Sequence, residues 1–297
     1  MKPLILAGTQ GILAVKVAKQ TGYPLGYVQI EKLPDGEKYV RLSSDVNGRN
    51  VFLFNSFAKN PDEMIIESVF LIETIKEYGA NSINCIFPYF PYSRQDRRFI
   101  EGEALSLKVV SKLFRNLEID RMYVFDFHLH RIDDLTKFFR FEVVNLTAMK
   151  KLANYSQRFS DDLIVVAPDE EAIQWARMFA EEIDAEYIYF KKIRVDAENV
   201  IISSPPPDVK GRDVIIVDDM ISTGGTVIQA LRVLREGGCN RCFVACTHAI
   251  LAKDALKRML EAGVEDMVAS DTVLSPISHV TVSDIISNRL KKDFGKY

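Results

Sequence analysis

The sequence has few of the residues that tie a chain to disulfides, metal clusters or membranes. It contains four cysteines, four histidines and one tryptophan among 297 residues. So few cysteines do not suggest a disulfide scaffold, and the reducing cytoplasm is the expected location. No apolar run approaches the length of a membrane span, and the strand-like N-terminal stretch is too short for a signal peptide.

Charge of either sign is not in excess either. The net charge is −3, with 27% charged and 47% hydrophobic residues. This balance is typical of a globular enzyme-sized chain and gives no field favouring nucleic acid or an anionic membrane, so we expect neither partner. No GxxxxGK[ST] segment is present, so a nucleotide would not bind through a Walker loop.

One cluster of thiols and an imidazole invites a zinc interpretation. Cys239 and Cys242 form a CxxC, but the second CxxC of a zinc module is missing. Cys242, Cys246 and His248 alternate on an apparent strand and therefore share one face. This alternation favours a core position over a metal site.

Strand-like and helix-like segments alternate from end to end, which predicts an α/β protein with mainly parallel sheets flanked by helices. A helix is predicted to begin at Asn60 and Pro61, a cap followed by proline at the first helical position. Its predicted apolar face is Ile65, Ile66, Val69, Ile72 and Ile75. The apolar runs predicted as central strands include residues 4–7, 51–55, 83–87, 122–127, 163–167, 214–217 and 243–246.

A weak internal repeat divides the chain. Residues 51–56 and their following helix mirror residues 214–219 and theirs, although the first copy lacks the acids and glycines. We therefore expect two similar domains, residues 1–144 and 145–297, with the last helix a candidate to pack on the first domain. Chance similarity between two α/β halves is the alternative.

The stretch from Val214 to Thr226 has the form of a phosphate site. Four apolar residues predict a buried strand ending in Asp218 and Asp219, followed by a loop and a helix. Backbone N–H groups, hydroxyls and the helix N-terminus favour an anion there. The loop and first helical turn are Ser222, Thr223, Gly224, Gly225 and Thr226.

Two carboxylates beside a phosphate loop need a reason, because they repel phosphate. A sugar phosphate supplies one, since carboxylates accept hydrogen bonds from vicinal hydroxyls or bind Mg²⁺ that contacts them. The alternative is an aspartate pair that caps a turn. The loop resembles the ribose-5-phosphate loop of the type I phosphoribosyltransferase fold, which serves both makers and users of phosphoribosyl diphosphate.

Three further strand ends carry polar groups, and ligands of open parallel sheets lie at such ends. His128 and Asp169 each follow an apolar run, and a basic loop contains Arg94, Gln95 and Arg97. A guanidinium stacks on a purine and an amide reads its edge. Together these groups predict one site built from both domains, although each alone fits a core histidine, a helix cap or a solvated surface. His130 shares a face with His128, which we favour because it lies directly at the strand end.

Two more segments complete the pattern. Asp35 and Glu37 lie on a Pro/Gly turn and can hydrogen-bond a base or ribose, but a plain surface turn has the same composition. Lys192 and Arg194 precede a long connection, residues 195–211, that is typical of a mobile lid over an anionic transition state. A charged strand end on a surface loop is the alternative.

Taken together, the motifs resemble the ribose-phosphate pyrophosphokinase family over nearly the whole chain. The most specific one is PYFPYSRQDRR at residues 88–98. The others follow in family order: DGE at 35–37, DFH at 126–128, PD at 168–169, KxR at 192–194, DDMISTGGT at 218–226 and CTHAIL at 246–251.

The resemblance implies a tandem phosphoribosyltransferase-like fold, ATP and ribose 5-phosphate as substrates, and a homodimer or hexamer. It implies that Arg94, Gln95 and Arg97 bind ATP, with Asp35 and Glu37 reaching from a neighbouring subunit. It assigns Mg²⁺ to His128 and Asp169, transition-state stabilisation to Lys192 and Arg194, and ribose 5-phosphate to Asp218, Asp219 and residues 222–226.

Two positions depart from the family pattern. Leu33 stands where many relatives have an aromatic residue, which leaves the nucleotide preference open. Ser222 stands where many have aspartate, and a hydroxyl there is compatible with phosphate. A user of phosphoribosyl diphosphate and a non-catalytic relative remain rival hypotheses, although the metal and lid residues favour an enzyme.

Overall fold

The computed structural model describes residues 2–98, 100–128, 135–194, 200–202 and 207–295. The chain forms two compact units. The first unit comprises residues 1–146 and 282–297, and the second comprises residues 147–281. In the described part of the chain, no helix is both long and apolar enough to cross a membrane.

The first unit contains a six-stranded parallel sheet with the order β2-β1-β5-β6-β7-β8. Its central strand β5 is buried at all five residues, because an apolar run covered on both faces is what a parallel sheet requires. The strands are β1 (Leu4–Ala7), β2 (Leu25–Gly26), β5 (Asn50–Phe54), β6 (Ser82–Ile86), β7 (Arg121–Phe125) and β8 (Glu142–Leu146).

Five helices of the first unit are described. They are α1 (Gly11–Thr21), α2 (Pro61–Glu77), α3 (Ser106–Arg115), α4 (Thr136–Phe139) and α9 (Ser283–Phe294). α1 ends at Gly22, whose φ of 72° is left-handed, and α2 begins at the predicted proline. The predicted apolar face of α2 is wrong at Ile66, which is 46% exposed, while Glu67 and Ser68 are buried instead.

The C-terminal helix α9 belongs to the first unit. Its Phe294 ring meets Phe52 of β5 edge-on, with ring centroids 4.9 Å apart. The hydroxyl of the buried Tyr123 donates to Asp293 at 2.8 Å. These contacts pack the helix against β5 and β7 of the first unit.

The second unit repeats this arrangement with the order β10-β9-β13-β14-β15-β16. Its strands are β9 (Leu163–Ala167), β10 (Tyr187–Tyr189), β13 (Asp213–Ile221), β14 (Cys242–Ala249), β15 (Asp266–Ser270) and β16 (Ser278–Val280). Its helices are α5 (Met149–Ser156), α6 (Ile173–Ile183), α7 (Gly225–Glu236) and α8 (Ala255–Glu261), with a short 3-10 helix over Glu170–Ala172.

Each unit also carries one antiparallel hairpin between the second and third strands of its sheet. In the first unit it pairs β3 (Val28–Lys32) with β4 (Lys38–Leu42), and in the second β11 (Lys192–Arg194) with β12 (Val200–Ile202). Both sheets therefore share one order in sequence terms, second-first-third-fourth-fifth-sixth. Shared strand order and shared hairpin position support the internal repeat over chance similarity.

Candidate active site

The third strand of the second unit carries the two acids of the predicted sugar-phosphate site. β13 does not end at Asp218, as the sequence suggested, but continues to Ile221. It does so because β14 extends beside it, pairing Asp218 with Cys246 and Met220 with His248. Successive strand residues face opposite sides of the sheet, so the two carboxylates point apart: Asp218 is half-buried and Asp219 is buried.

The carboxylates of Asp218 and Asp219 create a negative potential around the end of β13, next to the loop. One oxygen of Asp218 accepts a hydrogen bond from the backbone N–H of Asp219 at 2.9 Å. Burial raises the pKa of the Cys246 thiol on the neighbouring strand, and the charges of Asp218 and Asp219 raise it further. An electropositive partner or a hydroxyl donor above Asp218 therefore fits this edge of the sheet.

The phosphate loop itself occupies residues 222–224, and α7 begins at Gly225. Gly224 is the N-terminal cap with a left-handed φ of 74°, a conformation that favours glycine. A Cβ there would also meet the Met259 Cγ and Sδ atoms at 3.0 and 3.1 Å. Thr223 is exposed and Ser222 and Thr226 are half-buried. Hydroxyls and the N-terminus of a twelve-residue helix thus share one edge.

The two predicted metal residues lie one in each unit, and each follows a sheet strand. His128 comes three residues after β7 and is half-buried. The backbone N–H of Asp126, in a left-handed conformation, donates to Leu146 O at 2.8 Å, and that of Phe127 donates to Asn145 at 3.1 Å. These bonds turn the chain out of the sheet just before His128. His130 lies outside the described residues.

Asp169 follows β9 and caps the 3-10 helix. Its Oδ1 accepts the backbone N–H groups of Glu171 at 3.0 Å and Ala172 at 3.1 Å. The capping alternative weighed for this residue is therefore present in the structure. A carboxylate offers about four lone-pair positions, so capping by one oxygen is compatible with a metal contact through the other. Within the described ranges, no group of three or more His, Cys, Asp or Glu residues forms a metal cluster.

The RQDR segment of the first unit, residues 94–97, is anchored by aromatic side chains just before it. Phe87 and Phe90 are buried, with their rings 5.7 and 5.4 Å from that of Phe114 on α3. After this anchor the chain turns, and Arg94 and Gln95 are exposed. Exposed polar groups that follow a buried aromatic anchor within a few residues lie near the carboxyl edge of the sheet.

The side chains of the RQDR segment are partly preorganised. The Gln95 side-chain oxygen accepts the hydroxyl of Ser106, and its backbone N–H donates to Tyr92 O at 3.1 Å. The Tyr92 hydroxyl donates to Asp62 at the start of α2, a bond that raises the pKa of Tyr92 to about 12. Arg97 is half-buried.

Asp35 and Glu37 lie at the tip of the β3–β4 hairpin and are exposed. The turn is closed by the Asp35 carboxylate, which accepts the Glu37 N–H at 3.1 Å, and Gly36 has a left-handed φ of 95°. Leu33 beside them is 38% exposed. The hairpin tip thus offers two carboxylates and one apolar side chain.

Sequence reasoning missed how this hairpin is held. Lys38 follows Glu37 directly, and its ammonium lies 2.9 Å from the buried Glu67 and 3.1 Å from Glu63, both on α2. Burial lowers the pKa of Lys38, but the two carboxylates outweigh it and raise the pKa overall. Glu67 in turn accepts the Asn55 amide at 3.4 Å. The signal for this anchor was a glutamate among apolar residues of α2, which periodicity alone does not interpret.

Lys192 and Arg194 lie on a strand of their own, β11, and not at the end of β10. β11 pairs with β12 in a separate two-stranded ribbon, with Lys192 opposite Ile202 and Arg194 opposite Val200. The side chains of both residues, and residues 195–199 and 203–206 of the predicted lid, lie outside the described part of the chain. The pairing places Lys192 and Arg194, just before the long connection, beside residues 200–202 within it.

Cys242, Cys246 and His248 are buried, as their alternation predicted. All four cysteines are free and buried. Burial raises the pKa of Cys242 to about 12. His248 is 3% exposed, and its Nδ1 lies 2.9 Å from the Thr272 hydroxyl.

Comparisons with known proteins agree with the repeated fold. A family model described as the N-terminal domain of ribose phosphate pyrophosphokinase matches residues 4–117, and one described as a phosphoribosyl transferase domain matches residues 143–275. These two matches define a chain of tandem domains with phosphoribosyltransferase character.

Individual relatives narrow the class. The chain is 48% identical to ribose-phosphate pyrophosphokinase 1 of Archaeoglobus fulgidus, over 97% of this chain and 99% of that one. It is 37% identical to ribose-phosphate pyrophosphokinase of Methanothermobacter thermautotrophicus, over 94% and 96%. The crystal structure of phosphoribosylpyrophosphate synthetase from Mycobacterium smegmatis superposes with a TM-score of 0.88 at 28% identity, covering 100% of both chains. The chain belongs to the ribose-phosphate pyrophosphokinase family.

Proposed function

We propose that this chain transfers the β,γ-diphosphoryl group of ATP to the C1 hydroxyl of ribose 5-phosphate. The products are 5-phosphoribosyl 1-diphosphate and AMP, and the reaction feeds nucleotide biosynthesis. The observation that carries the proposal is the 48% identity to a ribose-phosphate pyrophosphokinase over nearly the full length of both chains.

The second unit supplies the acceptor side. Residues 222–226 present hydroxyls and the N-terminus of α7 to the 5-phosphate. Asp218, half-buried on β13, accepts hydrogen bonds from ribose hydroxyls, and the buried Asp219 next to it adds negative charge. The C1 oxygen forms its new bond to the β-phosphorus and loses its proton to solvent. The bond from the β-phosphorus to the bridging oxygen breaks, and that oxygen leaves with AMP.

The nucleotide side uses the RQDR segment and the acidic hairpin. Exposed Arg94 stacks on the purine, Gln95 reads its edge and Arg97 contributes to the same ligand. Asp35 and Glu37 reach the base from a neighbouring subunit, which requires self-association as a homodimer or hexamer. Four free cysteines support a reducing compartment, the cytoplasm, as the location.

On the family resemblance we assign Mg²⁺ to His128 and Asp169, together with phosphate oxygens of ATP. Mg²⁺ binds through one or two carboxylates plus phosphate oxygens, and Asp169 has lone pairs beyond its two capping bonds. The ion supplies neutralisation of charge on the transferred group. Lys192 and Arg194 add positive charge to the transition state from the β11–β12 ribbon.

One assay tests the proposal against its rivals. The chain is incubated with ATP, Mg²⁺ and ribose 5-phosphate, and AMP is quantified with and without the sugar phosphate. We expect sugar-dependent AMP in amounts equal to phosphoribosyl diphosphate. Diphosphate released instead from phosphoribosyl diphosphate plus a nucleobase would identify a user of that compound, and no turnover with intact nucleotide binding would identify a non-catalytic relative.

A further inference from the structure

The segment that follows β14 binds the phosphate loop from behind. Ile221 O accepts the backbone N–H groups of Ile250 at 3.0 Å and Leu251 at 3.1 Å. Ser222 O accepts that of Ala252 at 2.9 Å. Two successive carbonyls of the β13–α7 connection are therefore held by backbone donors from residues 250–259, which we call the backing segment.

The third carbonyl in the row is held by a side chain. Thr223 O accepts the Nη1 of Arg258, on α8, at 3.3 Å. Arg258 is exposed, so the bond does not result from burial of the guanidinium in a core. Of the four hydrogen bonds to these carbonyls, three come from backbone N–H groups and this one comes from a side chain.

Peptide geometry turns these bonds into a direction. In a trans peptide the C=O of one residue and the N–H of the next point to opposite sides, and the described chain contains no cis bonds. Holding the carbonyls of Ile221, Ser222 and Thr223 toward the backing segment therefore turns the N–H groups of Ser222, Thr223 and Gly224 away from it. Successive N–H groups aimed to one side form an anion-binding concavity.

The backing segment is itself in an unfavourable backbone conformation. Leu251, Lys253 and Asp254 have φ values of 51°, 54° and 55°, although none is glycine. Such left-handed residues cost free energy and persist where the surroundings impose them. The Met259 side chain of the same segment fills the space that a Cβ on Gly224 would occupy, so the segment also limits the space behind the loop.

We propose that Arg258 is a positioning residue for the sugar phosphate, acting through the Thr223 carbonyl. This inference rests on the proposed function, since it assumes that the loop binds the 5-phosphate. Loss of the Arg258 bond frees the Thr223–Gly224 peptide to rotate, and its N–H then contributes less to the anion. Nucleotide binding and the transition-state cations are not affected, so the change falls on one substrate.

The test combines kinetics with direct binding. In Arg258→Ala we expect KM for ribose 5-phosphate to rise about 5- to 10-fold, the effect of one lost charge-assisted hydrogen bond. We expect kcat and KM for ATP to change less than about 2-fold. Arg258→Lys keeps a cationic donor and should recover most of the loss. Lys257→Ala is the matched control, since Lys257 precedes Arg258 on α8 and pairs only with exposed Glu261 at 3.8 Å in the ion pairs described.

Calorimetric titration with ribose 5-phosphate alone separates the two proposals. A weaker Kd in Arg258→Ala, with an unchanged melting temperature, supports the positioning role even if the wild type makes no AMP. If the wild type is active and Arg258→Ala has the same Kd and KM for ribose 5-phosphate, the positioning role is overturned and the proposed function is left intact. Equal losses in Arg258→Ala and Lys257→Ala would also overturn it, because the effect would then belong to α8 as a whole.

Discussion

The third strands of the two sheets occupy the same place in the same fold but end differently. In the first unit β5 stops after five residues, and the next side chain, Asn55, is fully buried. The Asn55 oxygen accepts the backbone N–H of Thr9 at 2.9 Å, and its amide donates to Ser68 at 2.8 Å. The polar atoms at this strand end are thus satisfied by neighbouring protein groups.

In the second unit β13 runs for nine residues and opens onto the phosphate loop. Asp218, which corresponds to Asn55 in the repeat, is half-buried rather than sealed. The difference is local, since the strand order and the hairpin position are the same in both units. The same strand order is thus compatible with a strand end closed by internal hydrogen bonds in one unit and a less buried strand end in the other.

The hairpins extend the comparison. The first hairpin presents Asp35 and Glu37 at its tip and is tied to α2 by Lys38. The second carries Lys192 and Arg194 on its first strand. The same position in the two folds thus carries carboxylates in one hairpin and cationic residues in the other.

The largest expected effect comes from the cationic hairpin. Lys192→Ala should lower kcat by about 10²- to 10³-fold, because it removes positive charge that acts on the transition state. Binding of ribose 5-phosphate should change little. Steady-state AMP release measures kcat, and Lys191→Ala, an exposed neighbour, is the control. Normal turnover in Lys192→Ala would remove the functional contrast between the hairpins.

The hydrogen-bond network of Asn55, at the end of β5, can be disrupted by one substitution. Asn55→Asp replaces a donor by a carboxylate facing Glu67, 3.4 Å away, so we expect the free energy of unfolding at pH 7 to fall by about 2–3 kcal/mol. Urea unfolding measures the loss.

Asn50→Asp is the control for that substitution. The Asn50 oxygen accepts both the Asn81 amide and the Ser82 hydroxyl, at 2.8 and 2.9 Å, and a carboxylate oxygen can do the same. A smaller loss in Asn55→Asp than in Asn50→Asp would mean that the Asn55 network is not the seal described above.

The open strand end of the second unit gives the next smaller effect. Asp218→Asn keeps an oxygen for the Asp219 N–H but removes the charge, so we expect KM for ribose 5-phosphate to rise about tenfold, or ~1.4 kcal/mol. KM for ATP should stay within about twofold. Asp266→Asn is the matched control, because Asp266 also accepts the N–H of its next residue, at 2.7 Å, but is exposed at the start of β15. An unchanged affinity for the sugar phosphate in Asp218→Asn would contradict its role.

The smallest expected effect is on acid stability, and it comes from the first residues of β5 and β13. β5 begins with neutral Asn50, whereas β13 begins with Asp213, which lies 2.6 Å from Arg241. The hydrogen bond from Arg241 lowers the pKa of Asp213 to about 2, although burial opposes the shift. A depressed carboxyl pKa contributes stability that is present above about pH 4 and is lost as the pH falls through about 2.

Asp213→Asn should therefore reduce the loss of stability between about pH 4 and pH 2 by about 1 kcal/mol, after allowance for the half-exposed arginine. Unfolding at a series of pH values measures it. Asp162→Asn, from the exposed pair with Arg212, should leave the acid profile as it is. Identical acid profiles for wild type and Asp213→Asn would rule out the ion pair as the source of acid sensitivity.

Much of the fold followed from local sequence. The apolar runs at β5 and β9 predicted buried parallel strands, and Pro61 predicted the start of α2, because each of these signals acts within a few residues. The full reach of β13 did not follow, since Asp218 and Asp219 interrupt the apolar run and only pairing with β14 continues the strand. Similarly, β3 and β4 are half-exposed, and a short alternating strand does not reveal its partner.

The candidate site residues also fall into those that the sequence predicted and those that it did not. The phosphate loop and the RQDR segment were recognisable because their chemistry is concentrated in contiguous residues. Lys38 and Glu67 were not, since their contact joins positions 29 apart in sequence. Arg258 likewise reaches the loop across 35 positions. Motifs predict groups that contact ligands, whereas the groups that orient them depend on tertiary contacts.

The membership of α9 in the first unit has a consequence for biosynthesis. The whole second unit is encoded between β8 and α9, so a ribosome releases the partner of Phe52 and Tyr123 only after the second unit has emerged. Domains generally fold as they leave the ribosome, N-terminal first. Here the first unit would wait with an open apolar flank while the second one folds, which makes the nascent chain a candidate client for chaperones that cover such surfaces.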